Sequence, residues 1–203
     1  MVELFVRGGL FMWPILFCLV VGVAISIERF ISLTRAGVNT RQFLNDIMAA
    51  LGKGDTKKAL DICQNTKGPV ASVFHAGLSR AGRGIEHVEK AIANAGTIEM
   101  AFLEKGMIWL STFITIAPML GFTGTVAGMI GAFDDIKNAN DISPSIVADG
   151  ISVALLTTLF GLVTAIILQL FHNYFISRID ALVIDMEESS VELVDHLAEV
   201  ENK

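Results

Sequence analysis

Residues 106–133 read GMIWLSTFITIAPMLGFTGTVAGMIGAF, with no Asp, Glu, Lys, Arg or His among them. A helix crossing a hydrocarbon core of about 30 Å needs about 20 mainly apolar residues. This run is long enough to span a membrane. Within it Gly121, Gly124, Gly128, Gly131 and Ala132 recur at spacings of three and four. Small residues so spaced share a helix face and let membrane helices approach closely.

Two further runs lack Asp, Glu, Lys and Arg: Gly8–Ile27 and Gly150–Ser177. The chain therefore reads as three membrane spans. Its composition agrees: 53% of the 203 residues are hydrophobic and 18% are charged, against about 45–50% and about 25% in soluble domains. An ordinary soluble enzyme and a secreted disulfide scaffold are excluded. A nucleic-acid binder is excluded too, because the net charge is −6 and no basic tract follows a phosphate backbone.

The first run, GGLFMWPILFCLVVGVAISI, competes with a cleaved signal peptide, for which Arg7 would be the basic start. A signal core is about 7–15 residues and ends in a small-x-small site. This run is longer and ends at Glu28-Arg29 without one, so it reads as a retained span. Trp13 suits the interface, and Pro14 costs little near a helix start. Cys18 lies in this run and Cys63 in a polar region, so free thiols are expected. The histidines His75, His87, His172 and His196 are scattered. Neither a metal site nor a cofactor is expected.

Charge sets the orientation. Of the 15 Lys and Arg, 11 lie in Glu28–Lys105, whereas Asp134–Asp149 carries Lys137 alone against four Asp. Arg178 follows the third span directly. The positive-inside rule places the middle segment and the C-terminal tail in the cytoplasm. The N-terminus and the acidic loop are then periplasmic. The expected organisation is an N-terminus and first span over 1–33 and a cytoplasmic helical domain over 34–105. A second span covers 106–133, a short periplasmic loop 134–149, a third span 150–177 and a cytoplasmic helical tail 178–203.

No strand pattern appears, and the fold class is all-α. Thr40–Leu51 shows helical spacing through Phe43, Leu44, Ile47 and Met48, ended by Gly52-Lys53-Gly54. Asp55 is placed to cap a helix over Thr56–Asn65. A third helix is expected over Val70–Arg80. From Ile85 the apolar positions Val88, Ile92, Ala95, Phe102 and Trp109 continue without a breaker into span two. After span three, Ile176, Ile179, Val183, Met186, Leu193, Leu197 and Val200 do the same, with Ser190 in register. Two membrane helices thus extend into the cytoplasm, each with an apolar stripe that needs a partner.

Span three has its own small-residue row: Ala154, Thr158, Gly161 and Ala165. Helix packing explains the glycines. It explains the hydroxyls less well: Thr123, Thr125, Ser152, Thr157, Thr158 and Thr164. One Thr alone satisfies its own helix, but two hydroxyls within such rows can line a polar path. No Asp, Glu, Lys, Arg or His lies at the centre of any span. A proton carrier normally needs one, so either no protons move or another subunit supplies the carboxylate. No nucleophile elbow, phosphate loop or paired acid and base is present, and no catalytic residue is expected.

Ala117-Pro118-Met119-Leu120-Gly121-Phe122-Thr123-Gly124-Thr125-Val126-Ala127-Gly128-Met129-Ile130 closely resembles the AP-x-LG-x-x-GTV-x-GMI signature of the MotA/TolQ/ExbB family. Ala154-Leu155-Leu156-Thr157-Thr158-Leu159-Phe160-Gly161-Leu162 resembles its third-span pattern, and Ile27-Glu28-Arg29 the end of its first span. The likeness runs from about Gly8 to Tyr174. Three spans and this length look like the ExbB/TolQ branch. The resemblance implies a homo-pentameric ring around a central pore lined by spans two and three. It implies two single-span partner subunits of ExbD/TolR type, each placing an aspartate in the pore. It also implies a TonB-like protein as a further partner, and a periplasmic process such as TonB-dependent transport driven by ion flow across the bacterial inner membrane. Thr125 and Thr158 match the family's pore threonines. Pro118, Gly121, Gly124, Gly128 and Gly161 are expected to pack the pore helices, with Ser152 and Thr157 as additional polar pore residues.

Two positions depart from the pattern. Val153 stands where some relatives carry a glutamate, and Ile167 where the family usually has a proline. The first weakens any detailed proton relay and leaves sodium coupling as an alternative. A non-conducting membrane scaffold is a further alternative, and a flagellar-type stator is disfavoured by the missing fourth span.

Overall fold

The computed structural model describes residues 2–37, 40–139 and 144–201, and every long element among them is helical. Three helices are long and apolar enough to cross a membrane. The chain divides into two compact units. The first comprises Met1–Glu28 and Gly106–Tyr174, and the second Arg29–Lys105 and Phe175–Lys203.

In the first unit a short helix, α1 (Val2–Arg7), precedes α2 (Met12–Ala36), and Gly9 turns the chain between them with φ +73°. The sequence reading did not foresee α1. Its Phe5 ring meets Trp13 edge-on at 5.5 Å and Phe160 at 6.5 Å. The helix α2 approaches α8 (Pro144–Glu201) at Gly22, where an added Cβ would stand 2.6 Å from Leu168. Ser26, buried beside it, donates to its own helix at the Gly22 carbonyl, 2.8 Å away.

The closest packing in this unit is between α7 (Met107–Ala139) and α8, which run antiparallel. A Cβ on Gly161 would lie 2.6 Å from the Ala117 carbonyl oxygen, and one on Gly121 2.9 Å from that of Thr157. A Cβ on Gly128 would lie 3.1 Å from the Ala154 nitrogen, and Gly150 abuts Ala132. The two small-residue rows therefore satisfy each other within one protomer. They supply no argument that a second copy is needed to cover them. Gly131 has open space around it and is not part of this contact.

The second unit is built on a small core. Helices α3 (Thr40–Leu51) and α4 (Thr56–Asn65) have the bounds expected from sequence. The Asp55 carboxylate accepts from the Lys58 backbone N–H at 3.0 Å, the expected cap. The expected third helix is shorter: α5 (Pro69–Leu78) ends early, and a 3-10 turn covers Ala81–Arg83. Phe43 and Phe74 stack tilted at 5.4 Å with Ile47, Val73 and Val88 buried around them.

The expected unbroken run from Ile85 into span two is wrong. Helix α6 (Ile85–Leu103) stops, Gly106 turns with φ +83°, and α7 starts at Met107. A positive φ is nearly free for Gly and costly for other residues. In α6 Leu103 is buried and Phe102 is 61% exposed; in α7 Met107 and Leu110 are buried and Trp109 is 61% exposed. The tail is one continuous helix with span three, as expected. Its buried residues are Ile179, Leu182, Met186, Ser189 and Leu193.

Candidate functional site

The geometry around Gly121 is the most distinctive polar feature of the first unit. Close approach at Gly121 brings Thr125 of α7 beside Thr158 of α8, with their Oγ1 atoms 3.2 Å apart. Both side chains are half-buried. Thr125 Oγ1 donates to the Phe122 carbonyl at 2.7 Å, with the Gly121 carbonyl at 3.2 Å. Thr158 Oγ1 reaches that same Gly121 carbonyl across the interface at 3.2 Å.

A hydroxyl has one proton and two lone pairs, so these contacts are alternatives. O–H···O bonds are shortest and strongest near 2.7–2.8 Å. The Thr125 proton is thus committed to Phe122. Thr158 has only long contacts, so its proton is the more loosely held. The pair offers one weakly engaged donor and several lone pairs to a polar group arriving at this point. Exposed apolar side chains surround it on the same helices: Phe122, Val126, Leu155 and Leu159. No charged residue occurs between Gly106 and Phe133.

The neighbouring hydroxyls are placed differently. Thr157 is fully buried, faces Gly124, and donates to the Ala154 carbonyl at 2.9 Å. Its side chain sits inside the α7–α8 contact. Thr164 is also buried, and Thr123 donates to the Met119 carbonyl at 2.8 Å. Ser152 is half-buried. Val153 and Ile167 are likewise half-buried on α8. Pro118 lies inside α7, next to Ala117, where Gly161 makes its closest approach.

Two features escaped the sequence reading. Gly150, outside the row read on span three, extends the helix contact by meeting Ala132. Arg29, read from sequence as part of the motif that ends the first span, is 5% exposed and donates to the Phe102 carbonyl at 3.3 Å within the second unit. No sequence signal separates such a buried arginine from an ordinary interfacial one.

Three helices long and apolar enough to cross a membrane, joined by glycine contacts, describe a multi-pass membrane protein. Residues 65–188 match the MotA/TolQ/ExbB proton channel family, and the chain belongs to it. A protein named as a biopolymer transport ExbB homolog, from Methanothermobacter thermautotrophicus, is 32% identical over 88% of this chain and 63% of its own length. An ExbB-like protein of Synechocystis is 29% identical over 83% of this chain and 81% of its own. The biopolymer transport protein ExbB of Salmonella typhimurium is 34% identical over 45% of this chain and 36% of its own. The chain thus spans less than two thirds of the first of these relatives.

Proposed function

We propose that this chain is the ion-conducting subunit of an ExbB/TolQ-type motor in the bacterial inner membrane. Copies form a pentameric ring around a pore. Single-span ExbD/TolR-like partners, two per ring, place an aspartate there. The N-terminus is periplasmic and the C-terminus cytoplasmic. The coupling ion is the proton, and the work serves an envelope process such as TonB-dependent transport through a TonB-like protein.

The observation that carries this reading is the Thr125–Thr158 pair over the Gly121 carbonyl, in spans without a carboxylate of their own. An ionised carboxylate at mid-membrane costs about 2.5–3.5 kcal/mol even on the lenient insertion scale. A partner aspartate in a dry pore therefore stays protonated. Beside a loosely held Thr158 proton and the Thr125 lone pairs, its charged form gains hydrogen bonds. A hydrogen bond to a charged group contributes about 1.5–3 kcal/mol. Moving one charge through 100 mV yields about 2.3 kcal/mol. The hydroxyls thus act on the scale of the driving force. They do not titrate, so their role is to hold the carboxylate or its water.

Purification of the tagged chain from its native membrane tests this. The expected result is five copies by native mass spectrometry, with a single-span protein whose span contains Asp. A stable monomer without such a partner would contradict the motor reading and leave a structural scaffold.

A further inference from the structure

His172 lies within the third span, yet its Nδ1 is shielded and meets no hydrogen-bonding partner among the described residues. An unpaired shielded polar atom is unfavourable. Two amide side chains stand beside it: Gln169 donates from Nε2 to Asn173 Oδ1 at 2.8 Å. Three polar side chains within five residues of an otherwise apolar helix are unfavourable toward lipid, and they favour a protein interior or a water-filled cavity.

Their angular position is informative. At 3.6 residues per turn, Gln169 lies about 20° from Thr158 around the helix, His172 about 40° and Asn173 about 60°. At 1.5 Å per residue, Gln169 and His172 stand about 16 and 21 Å further along the axis than Thr158. Between them the same face carries Leu162 and the small Ala165, the latter about 20° from Thr158. Leu170, which is 67% exposed, lies about 120° away. The polar residues thus repeat the face of Thr158, and the apolar residue at equal depth does not.

We propose that Gln169, His172 and Asn173 line the exit of the ion path that passes Thr125 and Thr158, their amide and imidazole groups holding the water through which the ion leaves. This rests on the ion-path reading above. The hydroxyl pair is then the middle of the path rather than its end.

Cysteine accessibility in native membranes tests the exit. Gln169→Cys, His172→Cys and Leu170→Cys are made singly in the full chain with Cys18→Ala and Cys63→Ala, and treated with a charged methanethiosulfonate. Thiolate formation needs water, so modification at Gln169→Cys and His172→Cys should exceed that at Leu170→Cys by about tenfold. Equal labelling at all three positions would make them a membrane-surface band, and no labelling at any would make them dry packing groups. Either result overturns the exit. Neither bears on the threonine pair, whose own test is the loss of ion-coupled activity in Thr158→Val. Gln169→Cys is the second reporter if His172→Cys fails to assemble.

Discussion

Thr125 Oγ1 and Thr158 Oγ1 stand 3.2 Å apart, on helices that meet with the Gly121 carbonyl between them. The two residues are 33 positions apart in sequence. What joins them is the absence of a side chain at Gly121 and Gly161, which lets backbone meet backbone. Packing and the polar site are therefore one structural feature.

Adding a methyl where backbone already fills the space should separate α7 from α8. Gly161→Ala places Cβ 2.6 Å from the Ala117 carbonyl oxygen, whereas Gly131→Ala meets nothing within 4 Å. Overpacking costs about 1–3 kcal/mol. Thermal unfolding in detergent should show Gly161→Ala clearly destabilised and Gly131→Ala near wild type. Equal midpoints would show that the contact is not tight.

The Asp55 cap is local and should act locally. Asp55→Ala removes the acceptor of the Lys58 N–H, at a cost of about 1 kcal/mol. Hydrogen exchange should speed up at the start of α4 and remain unchanged in α7. Unchanged protection at Lys58 would refute the cap.

Burial pushes the Cys63 thiol from its ordinary 9.0 up to about 12. The folded chain prefers the neutral thiol, so this stabilisation is complete below pH 9 and is lost as pH rises toward 12. The thiolate is the reactive form. At pH 8, iodoacetamide should leave Cys63 unmodified in the folded protein and alkylate it after denaturation. Rapid native alkylation would place the thiol at the surface.

The topology proposed from charge can be checked on the tail. Glu188 and Glu199 are exposed on the far part of α8. Glu188→Cys and Glu199→Cys should be labelled by an impermeant reagent only from the cytoplasmic side. Labelling of intact cells from outside would invert the arrangement.

Much of this was legible in the sequence, for identifiable reasons. The spans follow from charge-free length, α3 and α4 from their spacing and their Gly and Asp punctuation. Thr125 and Thr158 were legible through the motif that holds them. Other features depend on information a spacing pattern does not contain. Gly121 and Gly106 are the same residue type, yet one continues a helix and the other breaks it with φ +83°. Thr157 and Thr158 are adjacent, and about 100° of rotation puts one inside the helix contact and the other at its polar edge. The small-residue rows announced close packing but not which helix would fill them, and each fills the other.

The central claim is that the hydroxyl of Thr158 serves the ion. Its direct test is ion-coupled growth or uptake in Thr158→Val and Thr158→Ser, with expression and pentamer formation measured in parallel. Valine keeps nearly the same shape without the hydroxyl, and serine keeps the hydroxyl. Losing one hydrogen bond to a charged group, about 1.5–3 kcal/mol, corresponds to a loss of roughly tenfold or more. The account predicts such a loss in an assembled Thr158→Val ring, a smaller loss in Thr125→Val, whose proton is held by Phe122, and substantial recovery in Thr158→Ser. Assembled Thr158→Val and Thr125→Val rings of wild-type activity would contradict it, and would make both threonines packing residues.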